Sequence, residues 1–191
     1  MQLRVHRSDG KTGHYRQEVP SRIAALAKRL DPHTLFRSGP IVIGAHNPFS
    51  VLNADEICWI EVDSKQDMST TLPTGIDSLH RLSGREEYER ILSEQWPRWK
   101  AFKKSGEGDL LEALVELSLR SSESLFLHAK GVVTSVNLVD EFFQVPAITA
   151  TYSPHGTIYI NPRNIVRARV YHSKDQVSYP TGLWCAEADD I

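Results

Sequence analysis

The sequence predicts an α+β fold made of two small antiparallel β modules, each preceded by a helix. Residues 1–83 form the first β-rich module, 84–120 a helical connector and 121–191 the second module. Three observations predict this. First, one strand signature occurs twice: Leu52-Asn53-Ala54-Asp55-Glu56-Ile57 followed after four residues by Val62, and Ile160-Asn161-Pro162-Arg163-Asn164-Ile165 followed after four residues by Val170. Second, helical periodicity precedes each copy, at 21–30 and at 109–120. Third, the β segments are short and turn-rich, which disfavours a βαβ arrangement. Together they make the chain a candidate internal duplication of small β-barrel-like units.

Taken in order, Leu3, Val5, Tyr15, Gln17 and Val19 flank the turn residues Ser8 to Gly13, so the chain opens on a hairpin. Pro20 and Ser21 start a helix whose apolar residues Ile23, Leu26, Ala27 and Leu30 fall at i, i+3, i+4 and i+7. Asp31-Pro32 ends it. Leu35-Phe36 and Ile41-Val42-Ile43 read as short strands, and Phe49 to Val62 as a strand pair bent near Asn53-Ala54-Asp55. Thr70-Thr71-Leu72 reads as another short strand. Ser83-Gly84-Arg85-Glu86 has capping-box spacing and should start a helix that Pro97 kinks or ends. Asp109 and Glu112 should cap a further helix to about Arg120, with Leu110, Leu111, Leu114, Val115 and Leu117 as a wide apolar face. Strands follow at 125–127, 132–133, 142–145, 148–152, 157–160 and 165–171. Ser153-Pro154-His155-Gly156 forms a hairpin turn with glycine at positive φ.

Composition bounds the function. Of 191 residues, 40% are hydrophobic and 24% charged, and the net charge is −2, so bulk charge points to neither nucleic acid nor membrane. The charge is unevenly placed: residues 1–37 carry eight Lys or Arg against three Asp or Glu, a net +5, and the rest carries −7. A basic end on an acidic body suits an acidic partner or a phosphate backbone. Cys58 and Cys185 lack metal-site spacing; Cys58 lies in an apolar strand pattern and reads as a small buried residue, and a reduced, cytoplasmic setting fits the pair better than a disulfide. The N-terminus has no signal-like apolar segment, and no apolar run is long enough to span a membrane.

No motif for catalysis, metal or cofactor stands out. None of the eight histidines has i, i+4 spacing with a Glu; His6 and His14 could face each other across the first hairpin, two ligands at most. There is no Gly-x-Ser-x-Gly and no phosphate-binding loop. Two basic features stand out as nucleic-acid or anion sites. In Trp96 to Lys104, Trp99 lies among Lys100, Lys103 and Lys104, and stacking rings plus cations suit a single strand. On the last strand Arg167 and Arg169 share a face, with Arg163 just before them, and such arginines hold phosphates or carboxylates. Each has a plainer reading, as core tryptophans and as a solvated face.

Phe49, Leu52-Asn53-Ala54-Asp55, Ile57, Ile60-Glu61, Thr70-Thr71-Leu72, Gly75 and the segment Ser83 to Leu92 resemble the flagellar FlbD-type family of small proteins; Ser69-Thr70-Thr71 stands where that family has Pro-Asp-Thr. The resemblance covers residues 49–93 and implies a short antiparallel sheet with a helix and no catalytic activity. In 125–171, Ile160-Asn161-Pro162-Arg163-Asn164-Ile165-Val166 looks like the late strand motif of Sm-like barrels, with Pro162 in place of their glycine. Gly131 and Asp140 sit where the barrels' first motif has such residues. That likeness implies RNA binding if those positions line a pore or rim.

The function expected is a non-enzymatic interaction or adaptor module with a protein partner or a second copy and no cofactor, since small β modules expose edges and grooves that accept partner strands. The alternatives are a nucleic-acid-binding protein and an enzyme whose site gathers distant histidines and carboxylates.

Overall fold

Eleven strands and two α-helices form within residues 1–37, 39–44, 49–73, 75–102, 110–132 and 143–173, the part of the chain that the computed structural model describes. In order they are β1 (Gln2–Arg7), β2 (Thr12–Arg16), α1 (Pro20–Arg29), β3 (Ile41–Gly44), β4 (Phe49–Leu52), a 3-10 turn (Ala54–Glu56), β5 (Ile57–Asp63), β6 (Ser78–Arg81), α2 (Arg85–Phe102), β7 (Leu110–Leu119), β8 (Ser124–Val132), β9 (Ile148–Ser153), β10 (Gly156–Ile160), a 3-10 turn (Pro162–Asn164) and β11 (Ile165–His172). Nine strands make one sheet in the order β11-β7-β8-β6-β9-β10-β5-β1-β2, while β3 and β4 pair separately. The sheet is mixed, because β6 runs parallel to β9.

This overturns the expected pair of small antiparallel modules, each preceded by a helix. β5 hydrogen-bonds to β1 on one side and to β10 on the other, so residues from both ends of the chain share one sheet. The first helix follows two strands of that sheet, and the expected helix 109–120 is β7. The mistake has a physical cause. β7 is buried on both faces: Leu111, Ala113, Val115, Leu117 and Leu119 enter one core and Leu114 another. The odd positions 111 to 119 are apolar and alternate with Glu112, Glu116 and Ser118, but Leu114, turned to the opposite core, joins Leu111, Val115 and Leu117 in a pattern that also reads as a wide helical stripe.

The sheet is rolled. Five strand spacings separate β10 from β11, about 24 Å if the sheet were flat, yet only Asn161 to Asn164 join them, and five Cα steps span at most about 17 Å. The concave face therefore closes on itself around Cys58, Trp59, Leu79, Leu117, Leu127, Ile148, Ile158 and Ile160. On the outer face, α1 with Leu35 and Phe36 covers Leu3, Val5, Ile60, Val62 and Tyr159. At the other end α2 lays Tyr88 and Trp99 over Leu114 and Phe126.

The recurring Asn signature does have a common local form. Asn53 Oδ1 accepts from Asp55 N and Asn161 Oδ1 from Arg163 N, each at 3.2 Å, capping a 3-10 turn that leads into a strand. The two turns pack together. Asn161 Nδ2 donates to the carbonyls of Ala54 (3.1 Å) and Ile57 (3.0 Å), and Asn164 Nδ2 to those of Asp55 and Ile57, both at 2.8 Å. Both asparagines are buried, and these bonds satisfy both amide nitrogens and Asn161 Oδ1, while Asn164 Oδ1 has no hydrogen-bond partner among the described residues.

Smaller expectations also change. Residues 35–36 lie in turns and 70–72 are irregular, although Thr71 exchanges hydrogen bonds with Thr149 Oγ1 (2.8 and 2.7 Å). Phe143 begins no strand, and Phe142 lies outside the described residues. Ser83 is met by Glu87, not Glu86, at 2.6 Å to its N–H and 2.8 Å to its hydroxyl. α2 continues through Pro97, where both Pro97 and Ser93 are exposed and the unpaired carbonyl can meet water. Positive φ occurs at Gly10 (75°) in the first hairpin but not at Gly156, which is required for space: a Cβ there would lie 2.5 Å from Ser153 Oγ and from the Tyr152 ring.

Candidate binding groove

The basic excess in residues 1–37 acquires a shape in the fold. β2, α1 and β3 bound a groove of about 450 Å³. Leu3, Ala25, Leu26, Val42 and Ile43 supply its apolar surface, and His14, Arg16, Arg22 and Arg29 its polar rim, with Tyr15 and Gln17 between. The helix makes this possible. Arg22, Ala25, Leu26 and Arg29 repeat at three- and four-residue steps, so they share one face of α1, and Leu26 anchors that face in the core. Arg16 pairs with exposed Glu18 at 2.6 Å. Arg22 and Arg29 are exposed and form no ion pair among the described residues.

The groove also borders an open strand edge. Among the described residues β2 ends the nine-stranded order and pairs only with β1. Met1 and Gln17 exchange backbone hydrogen bonds, and Arg7 N donates to Lys11 O. Pairing alternates along an antiparallel ladder, so residues 11, 13, 15 and 17 address β1. The N–H and C=O groups of Thr12, His14 and Arg16 then point away from it, towards the open side. The same register sets His6 opposite Thr12 and His14 opposite Arg4, so His6 and His14 do not face each other.

The residues singled out in the sequence do not converge on this groove. Trp99 is buried beneath α2, and its neighbour Trp96 packs edge-on against it and Tyr171, at 6.4 and 5.3 Å between centroids. Lys100 lies over the Trp96 ring at 5.1 Å. Lys103 and Lys104 lie outside the described residues. Arg163 pairs with Asp55 at 3.0 Å, both largely exposed. Arg167 and Arg169 are exposed on β11, just past a register shift after Ile165. Arg169 stands opposite Glu116, a buried carboxylate that Arg85 already holds at 2.8 Å.

A second polar cluster went unread in the sequence: Glu61. It is 5% exposed and meets Arg4, Arg81 (2.5 Å) and His6, whose Nε2 lies 3.4 Å away. The His6 contact has ion-pair distance but lacks hydrogen-bond geometry, since Nε2 is without a hydrogen-bond partner. The His6 ring stacks on Trp59 at 4.0 Å. Burial alone would raise the Glu61 carboxyl; His6, Arg81 and Arg4 outweigh it and bring the pKa down to about 2. The signal was there: one charge inside the apolar run Ile57 to Val62 must be paired if that run is buried. His128 meets Glu112 elsewhere, at 2.8 Å. Neither His–carboxylate pair lines the groove. Among the described residues no three His, Cys, Asp or Glu groups are placed to hold a metal ion, and no helix is long and apolar enough to cross a membrane. Cys58 is fully buried, which pushes its thiol pKa up, and Cys185 lies outside the described residues.

No family model matches this chain, and neither does any curated protein or solved structure.

Proposed function

We propose that the chain is a non-enzymatic interaction module that holds an anionic partner in the groove between β2, α1 and β3. The observation that carries this reading is the arginine rim over an apolar floor, with Arg22 and Arg29 unpaired among the described residues. Unpaired cations beside apolar surface gain from an anion that brings some apolar surface with it, and they steer its approach. The Glu61 and Glu116 clusters fit a structural role, because Arg4 and Arg81 hold Glu61 and Arg85 holds Glu116.

The test is fluorescence anisotropy with two labelled probes, a Glu-rich peptide and a single-stranded oligonucleotide, on the wild type and the double variant R22E/R29E. Binding at low salt that the double variant loses supports the reading. No binding of either probe, or equal binding by the variant, overturns it.

A second reading, nucleic-acid binding, is favoured by the exposed Arg167 and Arg169 on β11, the strand at the other end of the sheet among the described residues. It predicts that the oligonucleotide outcompetes the peptide and that its affinity falls steeply with salt.

A further inference from the structure

We infer that the groove's occupant is an acidic segment of a partner protein, bound in extended form as an added strand along the open edge of β2. This rests on the function proposed above and names the partner's conformation.

Three observations support it. The backbone groups of Thr12, His14 and Arg16 point away from β1, so β2 presents a row of donors and acceptors to the groove. A strand added there would lie about 4.8 Å from β2, and backbone pairing of this kind gives affinity without demanding a particular sequence. The surroundings then select side chains by face: His14 and Arg16, opposite Arg4 and Gln2, favour carboxylates on one face, and Leu3, Leu26 and Ile43 favour aliphatic residues on the face towards α1, where Arg22 and Arg29 border them and meet the partner's remaining negative charge. An alternation of acidic and aliphatic residues meets both demands, since successive side chains of a strand point to opposite faces.

The chain also accommodates such a strand elsewhere. β6 is only four residues long, yet it lies between β8 and β9, antiparallel to one and parallel to the other. A short extended segment, inserted between two strands, is thus already part of this architecture.

The experiment uses the full chain and two labelled octapeptides of equal charge, one alternating Glu and Val, the other the same sequence N-methylated at every residue. N-methylation leaves the side chains in place but removes every backbone donor, whichever register the added strand takes. The expected result has two parts: the unmethylated peptide binds at least tenfold more tightly, and it slows hydrogen exchange at the His14 and Arg16 amides. Equal affinities, or unchanged exchange at those two amides, overturn strand addition while leaving an anion-binding groove. Failure of both peptides to bind at low salt overturns strand addition, and if the oligonucleotide also fails, the groove reading falls with it.

Discussion

Replacing Glu61 by glutamine keeps the side chain's size and removes its charge, which isolates what the carboxylate contributes. Its pKa falls from the ordinary 4.5 to about 2 in the fold. At 1.36 kcal/mol per decade the drop corresponds to about 3 kcal/mol of stability through linkage. The sign follows from the direction. The folded value lies below the unfolded one, so the contribution is complete above pH 4.5 and is lost as pH falls towards 2. Geometry gives a similar size. Removing one member of a buried ion pair costs about 3–5 kcal/mol, and the partial exposure of Arg4 (48%) and Arg81 (26%) places this case at the low end. Urea unfolding at pH 7 should therefore show E61Q less stable by about 3 kcal/mol. Between pH 5 and pH 3 the wild type should lose about 2 kcal/mol more than the variant, the other carboxylates cancelling in the comparison. Parallel stability curves for the two proteins would refute the argument that the arginines hold this carboxylate ionised.

Three further outcomes follow from the packing. Asn161→Ala removes two buried hydrogen bonds and the cap on the Arg163 N–H, while Ala54 O keeps the Ile57 N–H and Ile57 O keeps Asn164 Nδ2; it should lower stability by about 2 kcal/mol, whereas Asn53→Ala, which removes a single exposed capping bond, should cost about 1 kcal/mol; thermal unfolding of the two variants separates them. Gly156→Ala places a methyl 2.5 Å from Ser153 Oγ and the Tyr152 ring, and should destabilise by about 1–3 kcal/mol in urea titration. Tyr88→Phe should go the other way: the Tyr88 hydroxyl is buried without a hydrogen-bond partner among the described residues, so its removal should raise the melting temperature or leave it unchanged.

Local chemistry was legible in the sequence where one segment decides its own form. The Ile23-Leu26-Ala27-Leu30 stripe predicts α1 within a residue of its observed bounds, and Asn53 and Asn161 mark two alike turns. Legibility ended where a residue's surroundings come from distant strands. Leu114 and Val115 read as one helical face because nothing in 109–120 reveals that both sides of that segment are covered. Trp99 read more readily as a core residue than as a stacking ring, and the position of α2 over β7 and β8 decides for the core. The basic character of residues 1–37 was visible, but the groove was not, because it exists only where β2, α1 and β3 converge. Arg22 and Arg29, seven apart on the face that carries Leu26, were the available hint. Glu61 could have been found by asking what neutralises a lone charge in a buried apolar strand.

The placement of β6 bears on how this polypeptide can be divided. Its backbone partners, Leu127 to Lys130 on one flank and Thr151 on the other, arrive some fifty to seventy residues later in synthesis. A nascent chain that has emerged only as far as α2 holds this strand with neither flank in place, and a fragment beginning at β7 has β8 and β9 with a slot between them. Severing the chain between α2 and β7 would thus leave two incomplete pieces, each carrying what the other lacks, and mixing them is the natural route to restoring the whole.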